Sequence, residues 1–117
     1  MKTLGIGVDI IENKRIKSLL KNNNFILRTF SKNEIIAAKK FINKANFFAK
    51  RFAAKESLVK SIGTGFRNGL NFKDIQILND KLGKPYYLLN DKIKKIIKKK
   101  MKVKVFDLFL SISDEKE

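Results

Sequence analysis

The chain has 117 residues with a formal net charge of +16, and it contains neither cysteine nor histidine. This length predicts one domain, residues 1–117, whose core is small enough to benefit from oligomerisation. The lack of cysteine excludes a disulfide scaffold and a thiolate-bound metal, and without histidine any acid–base chemistry falls to carboxylates, lysines or water.

The first predicted element is a strand in which apolar and other residues alternate, "TLGIGVDII" at positions 3–11. Its apolar face begins at Leu4, and its other face carries two glycines and then Asp9. Because Asp9 interrupts the apolar run, the N-terminus predicts neither a signal peptide nor a membrane span, and we expect a cytoplasmic protein. A basic helix over residues 13–21 follows, with outward cationic side chains at Lys14, Arg15, Lys17 and Lys21.

Two further helices are predicted within residues 31–62. Residues 31–41 begin with Ser31 and have Glu34 three positions later, which is the capping-box pattern. The longest helix covers residues 46–62 and is predicted to end at Gly63, a favoured C-terminal residue. The segment "KNNN" at 21–24 is expected only to break the first helix.

The second half of the chain predicts strands 74–78 and 85–89, a basic helix over 91–102 and a last strand over 103–113. The resulting order is βαααββαβ with antiparallel pairing. This order indicates the α+β class, with an antiparallel sheet packed against the long central helix.

The long helix carries charges on or beside its apolar stripe of Phe48, Phe52, Lys55, Val59 and Ile62. Glu56 lies at the margin of this stripe and Lys60 is one turn further on. The two could form an ordinary surface ion pair, worth about 0.3–0.5 kcal/mol, or they could bind a metal ion and a phosphate. For Lys55 we expect the stem to cover apolar surface while the ammonium reaches water.

Asp9 also leaves two interpretations open: it could simply end its strand, or it could be a second hard oxygen ligand. Mg²⁺ prefers one or two protein carboxylates together with substrate phosphates and water. Asp9 and Glu56 would form such a site if the first strand lay beside the long helix. Spacing alone does not decide this.

Two stretches, "GIGVDIIENKRI" (5–16) and "RFAAKESLVKSIGTG" (51–65), resemble the signature motifs of the holo-acyl-carrier-protein synthases, the small bacterial type of 4′-phosphopantetheinyl transferase. Residues 66–87 and 108–113 resemble later segments of that family in the same order. The resemblance implies a small 4′-phosphopantetheinyl transferase-like domain. Such enzymes transfer the phosphopantetheine arm of coenzyme A to a serine of apo acyl carrier protein, releasing adenosine 3′,5′-bisphosphate, in support of fatty acid biosynthesis.

The resemblance also implies roles for individual residues. Mg²⁺ would be held by Asp9 and Glu56, and Glu56 and Lys60 would be catalytic. Coenzyme A would be bound by Lys60, Gly63, Lys84 and Pro85. The acidic carrier would meet Lys14, Arg15 and Lys17. The family is commonly a homotrimer with active sites between subunits, and we expect neither a nucleic acid nor a membrane as partner.

One competing hypothesis is a small basic nucleic-acid-binding module that uses residues 92–104, "KIKKIIKKKMKVK". Against it, most of the 10 phenylalanines fall on predicted core stripes, tryptophan is absent, and no nucleic-acid-binding signature is present. Part of the positive charge has a compositional explanation, because a genome rich in A and T also favours lysine.

The sequence departs from the family pattern at Asp114, where a histidine is usual, and it ends at Glu117 where the family usually continues into another apolar strand.

Overall fold

The structure, a computed structural model, describes residues 13–63 and 71–112. The first segment holds four helices, α1 (Asn13–Leu19), α2 (Asn23–Thr29), α3 (Lys32–Ala38) and α4 (Lys44–Ile62). The second begins with a short 3₁₀ helix, Phe72–Asp74, followed by β1 (Ile75–Asn79), β2 (Pro85–Leu89) and α5 (Asp91–Met101). The two strands pair antiparallel, with Ile77 opposite Tyr87. The predicted α+β class, with an antiparallel sheet and a long helix, is confirmed, whereas the predicted strand over 3–11 lies outside the described residues.

Two predicted capping signals are confirmed, one at the start of α3 and one at the end of α4. The hydroxyl oxygen of Ser31 accepts from the Glu34 amide at 3.2 Å, and Glu34 Oε1 accepts from the Ser31 amide at 3.0 Å, which completes the capping box. The long helix ends at Gly63, whose φ of 80° lies in the left-handed region that glycine adopts without strain.

The helix α2 was not predicted, and the asparagines that were expected to break the first helix also begin this one. Asn22 is its N-cap, with Oδ1 accepting from the amides of Asn24 at 2.9 Å and Phe25 at 3.4 Å. Asparagine is among the favoured N-cap residues, so a run of asparagines can end one helix and start another. The new helix buries Phe25 and Thr29.

The long helix α4 runs through two hydrophobic clusters. Its first half packs with α1, α2 and α3 in a cluster rich in aromatic rings, which includes Phe48 and Phe52. Its second half packs with both strands and α5 in an aliphatic cluster, to which Val59 and Ile62 belong. The long helix therefore connects the two clusters.

The predicted last strand is wrong in its hydrogen bonding and right in its alternation. Residues 103–112 form no strand in the described part of the chain. Alternate side chains nevertheless pack on the aliphatic cluster, namely Phe106, Leu108, Leu110 and Ile112, while Val105 and Phe109 remain exposed. Alternation reports that one side of a segment is buried, and it does not require a neighbouring strand.

Within residues 13–63 and 71–112, no helix is long and apolar enough to cross a membrane.

Candidate active site

The surface of α4 brings the two sequence-predicted residues Glu56 and Lys60 onto one side of the helix. They are four residues apart, so their side chains lie on neighbouring turns. Glu56 is half-buried and Lys60 is exposed. The helix ends at Gly63. Along this face of α4 a carboxylate is therefore followed by a cation and then by the C-terminal end of the helix.

All five members of the predicted apolar stripe are buried, Lys55 included. The expectation that its ammonium reaches water is wrong, because the side chain is 0% exposed. Three acceptors replace water around Nζ: Glu34 Oε1 at 2.6 Å, the Thr29 carbonyl at 2.8 Å and the Phe72 carbonyl at 3.0 Å. Burial lowers the pKa of the Lys55 ammonium from its ordinary value, and the nearby Glu34 carboxylate opposes that shift.

Glu34 has a second role that its capping position did not reveal. Its side chain is 0% exposed and forms the ion pair with Lys55. Its Oε2 also accepts from the Ile77 amide of β1 at 3.2 Å, so the carboxylate satisfies a backbone donor on the strand edge that faces away from β2. A signal for this pair existed in the sequence, because a lysine inside an apolar stripe needs buried acceptors, and Glu34 is one of two acidic residues between positions 13 and 63.

Arg51 is a further residue that sequence reasoning missed. It is 6% exposed, its guanidinium lies 3.6 Å from the centroid of the Phe47 ring, and Nη2 donates to Asn79 Oδ1. Burial lowers the pKa of Arg51, against the influence of Glu34. Its Nε has no hydrogen-bond partner within the described residues. Asn79 Nδ2 in turn donates to the Gly83 carbonyl at 2.9 Å, so Arg51 connects α4 to the turn between the strands.

That turn holds the predicted nucleotide contacts Lys84 and Pro85. Asp80 Oδ1 shapes it by accepting from the amides of Leu82 at 2.9 Å and Lys84 at 2.8 Å. Gly83 has a φ of 84°, which a residue with a Cβ would adopt only under strain. The side chain of Lys84 is exposed, and Pro85 is the first residue of β2.

A second tie from β2 reaches the middle of α4. The Tyr87 hydroxyl donates to the Ala54 carbonyl at 2.6 Å, and burial raises the pKa of Tyr87 to about 12. Ala54 precedes Glu56 by two residues. The turn of α4 that carries Glu56 is therefore in polar contact with β2 as well as with α3.

The remaining predicted site residues are placed only in part. Asp9 lies outside the described residues, and so do the side chains of Lys14 and Arg15, although their backbone is in α1. Lys17 is exposed in the last turn of α1, which packs on the aromatic cluster of α4 through the fully buried Ile16. Asp114 lies outside the described residues as well.

A metal at this face would have to be one that accepts hard oxygen ligands. The described residues contain no group of three or more acidic, histidine or cysteine side chains that could hold a metal ion. Glu56 supplies a half-buried carboxylate, and the whole chain has no thiol or imidazole to offer. This donor chemistry fits Mg²⁺, which binds through few protein carboxylates, and does not fit a thiolate-ligated metal.

Known proteins resemble this chain over nearly its whole length. Residues 5–107 match the family model of the 4′-phosphopantetheinyl transferase superfamily. A holo-[acyl-carrier-protein] synthase from Pelagibacter ubique is 64% identical over 117 residues, covering 100% of this chain and 91% of the relative.

Solved structures agree with this match. The acyl carrier protein synthase of Plasmodium yoelii with ADP bound has a TM-score of 0.79 and 41% identity, covering 98% of this chain and 87% of that one. The holo-(acyl-carrier-protein) synthase of Bacillus anthracis in complex with CoA (3′,5′-ADP) has a TM-score of 0.67 and 40% identity, covering 74% and 76%. The chain therefore belongs to the holo-[acyl-carrier-protein] synthases of the 4′-phosphopantetheinyl transferase superfamily.

Proposed function

We propose that this protein transfers the 4′-phosphopantetheine group of coenzyme A to a serine of apo acyl carrier protein. The products are holo acyl carrier protein and adenosine 3′,5′-bisphosphate. The observation that carries the proposal is the face of α4, where Glu56 and Lys60 lie on neighbouring turns and Gly63 ends the helix. Membership of the family supports the same reaction, since the relative at 64% identity is named for it.

Asp9 and Glu56 would hold Mg²⁺. When bound, the ion would supply positive charge that offsets the charge of the pyrophosphate. The half-buried position of Glu56 supports this role, because low solvent exposure strengthens its attraction for a cation. Glu56 is also the nearest candidate to receive the serine proton, directly or through a water molecule.

Lys60 would bind a phosphate of coenzyme A and stabilise the negative charge that develops on the leaving oxygen. Its side chain is exposed on the face of α4 that carries Glu56, which supports contact with a ligand lying over this helix. Gly63, Lys84 and Pro85 would complete the nucleotide site from the helix end and the turn between the strands. The chemical step is a substitution at phosphorus: the serine oxygen forms a bond to it as the bond to the bisphosphate leaving group breaks.

The acidic carrier would dock on α1 through Lys14, Arg15 and Lys17. The exposed side chain of Lys17 supports this surface, and α1 is packed against the same long helix that carries Glu56. We further propose a single domain over residues 1–117, a homotrimer with active sites between subunits, and a role in fatty acid biosynthesis in the cytoplasm. We propose neither a nucleic acid nor a membrane as partner. Burial in the core prevents five of the phenylalanines from stacking on bases: Phe25, Phe30, Phe47, Phe48 and Phe52.

The test compares Glu56→Ala with Asp91→Ala in a phosphopantetheine-transfer assay with Mg²⁺. Both variants remove a carboxylate, but Asp91 is exposed in the first turn of α5 and belongs to no proposed site. We expect Glu56→Ala to abolish transfer and Asp91→Ala to preserve it, and EDTA to abolish transfer by the wild type. Near-normal turnover by a folded Glu56→Ala variant would remove Glu56 from the site.

A further inference from the structure

The turn of α4 that carries Glu56 is held from three directions by polar contacts that the proposed reaction does not use. One residue before Glu56, the ammonium of Lys55 is bound on the buried face of the helix, about 100° around the helix axis from Glu56. Two residues before it, the Ala54 carbonyl accepts from the Tyr87 hydroxyl. A turn earlier, Arg51 is tied to Asn79 at the end of β1.

Lys55 is the most connected of these anchors. Its three acceptors belong to three separate elements: Thr29 ends α2, Glu34 is in α3 and Phe72 begins the 3₁₀ helix. An ammonium group has three protons, so the donors are all used. Through Glu34 the network continues to the Ser31 amide and to the Ile77 amide of β1. Five elements of the fold thus meet at one point beside Glu56.

Packing alone does not account for a charged residue at this position. The neighbouring Phe30 ring has its centroid 5.2 Å from Nζ, and an apolar side chain of similar length would fill the same space. A buried ion pair adds little net stability compared with apolar residues of the same volume, because desolvating two charges offsets their attraction. The pair does add directional contacts. Three hydrogen bonds fix the rotation of α4 about its axis and its position along that axis, which an apolar contact does not do.

We infer that Lys55 and Glu34 are positioning residues, which orient the α4 turn so that the Glu56 carboxylate faces the metal. The inference rests on the metal role proposed for Glu56. Lys55 does not touch substrate or metal in this account, because its side chain is fully buried and its three protons are bound within the protein. Its effect passes to Glu56 through the backbone of a single helical turn.

The experiment measures Mn²⁺ binding, from the signal of the free ion in electron paramagnetic resonance, with saturating coenzyme A and no carrier protein. The main variant is the double change Glu34→Gln with Lys55→Met, which removes both charges and leaves none unpaired. A control, Val59→Ala, disturbs the buried face of the same helix without changing a charge. Glu56→Ala reports on the metal site itself, and thermal unfolding is recorded for every variant.

We expect the double variant to bind Mn²⁺ about tenfold more weakly or worse, the range seen when residues that orient metal ligands are changed. In the transfer assay its kcat should fall while its KM for coenzyme A stays within about twofold. The reason is that the contacts which bind coenzyme A equally in the ground state and the transition state are unaffected. Val59→Ala should lose thermal stability and keep the wild-type Mn²⁺ constant.

Two results would overturn this inference without affecting the proposed function. One is wild-type Mn²⁺ binding by the double variant. The other is an equal loss of binding in Val59→Ala, which would make general destabilisation the cause. In both of these cases Glu56→Ala would still bind Mn²⁺ weakly, and the proposed function would stand. If Glu56→Ala instead bound Mn²⁺ like the wild type, the metal role of Glu56 would be wrong and the inference would fall with it.

Discussion

Removing only the cation of the buried pair should destabilise the fold far more than removing both charges. In Lys55→Met the Glu34 carboxylate keeps its fully buried position but loses the ammonium 2.6 Å away. Breaking a buried pair in this way costs about 3–5 kcal/mol, since an uncompensated charge is left in the core. A domain of this size has a total unfolding free energy of roughly 5–15 kcal/mol, so the single variant would lose a large part of its stability.

The double variant Glu34→Gln with Lys55→Met should recover most of that loss. This variant has no charge at either buried position. The Ser31 amide donates to Glu34 at 3.0 Å, and a glutamine oxygen can still accept this hydrogen bond. The second acceptor contact is lost, because glutamine has an NH2 donor where Glu34 offers its second oxygen to the Ile77 amide. We therefore expect a remaining cost of about 1–2 kcal/mol for a buried amide left without its acceptor.

Urea unfolding followed by far-UV circular dichroism measures both effects, at about 10–20 °C where the stability of most domains is greatest. Equal slopes of free energy against urea concentration would show that the variants unfold from equally compact native states. A loss below about 1 kcal/mol in Lys55→Met, or a double variant as unstable as the single one, would refute the account of a tightly coupled buried pair.

Three further predictions concern residues outside this pair. Lys60→Ala should lower turnover or coenzyme A binding while leaving the urea midpoint unchanged, and a change in stability alone would favour a surface ion pair. Arg15→Glu should raise the KM for carrier protein about tenfold, roughly 1.4 kcal/mol, with less effect on the KM for coenzyme A. Added salt should likewise raise the KM for carrier protein more than the KM for coenzyme A. A carrier KM indifferent to both would place docking elsewhere. Tyr87→Phe should cost about 1 kcal/mol of unfolding free energy at neutral pH, through loss of the bond to Ala54. Because the folded pKa of Tyr87 is raised from 10.0 to about 12, this contribution is complete below the lower value and lost as pH rises through the upper one. The wild type and the variant should therefore converge over that window in urea titrations, and a constant difference would contradict the assignment.

Local signals in the sequence predicted the elements whose determinants are themselves local. The capping box of α3 and the glycine that ends α4 each depend on residues within one helical turn. The helix α2 was not predicted because asparagine can both end and begin a helix. From the run of asparagines at 22–24 only the end of the first helix was inferred. The segment 103–112 was misassigned because its alternation identifies the buried side but not a hydrogen-bonding partner.

The candidate site shows the same division. Spacing along α4 was enough to place Glu56 and Lys60 on one face, because four residues along a helix fix the geometry. The partnership of Lys55 with Glu34 joins residues 21 positions apart, and only the packing of α3 against α4 creates it. Arg51 likewise meets Asn79 across 28 positions. The juxtaposition of Asp9 with Glu56 stays a prediction, since Asp9 is outside the described residues.

We propose that this chain moves phosphopantetheine from coenzyme A to a carrier protein in a metal-dependent reaction. The most direct measurement is the intact mass of apo acyl carrier protein after incubation with the wild-type protein, coenzyme A and Mg²⁺. We predict the mass gain of one phosphopantetheine group per carrier, with release of adenosine 3′,5′-bisphosphate and no gain in the presence of EDTA. An unchanged carrier mass with folded protein, or a gain that persists in EDTA, would contradict the account.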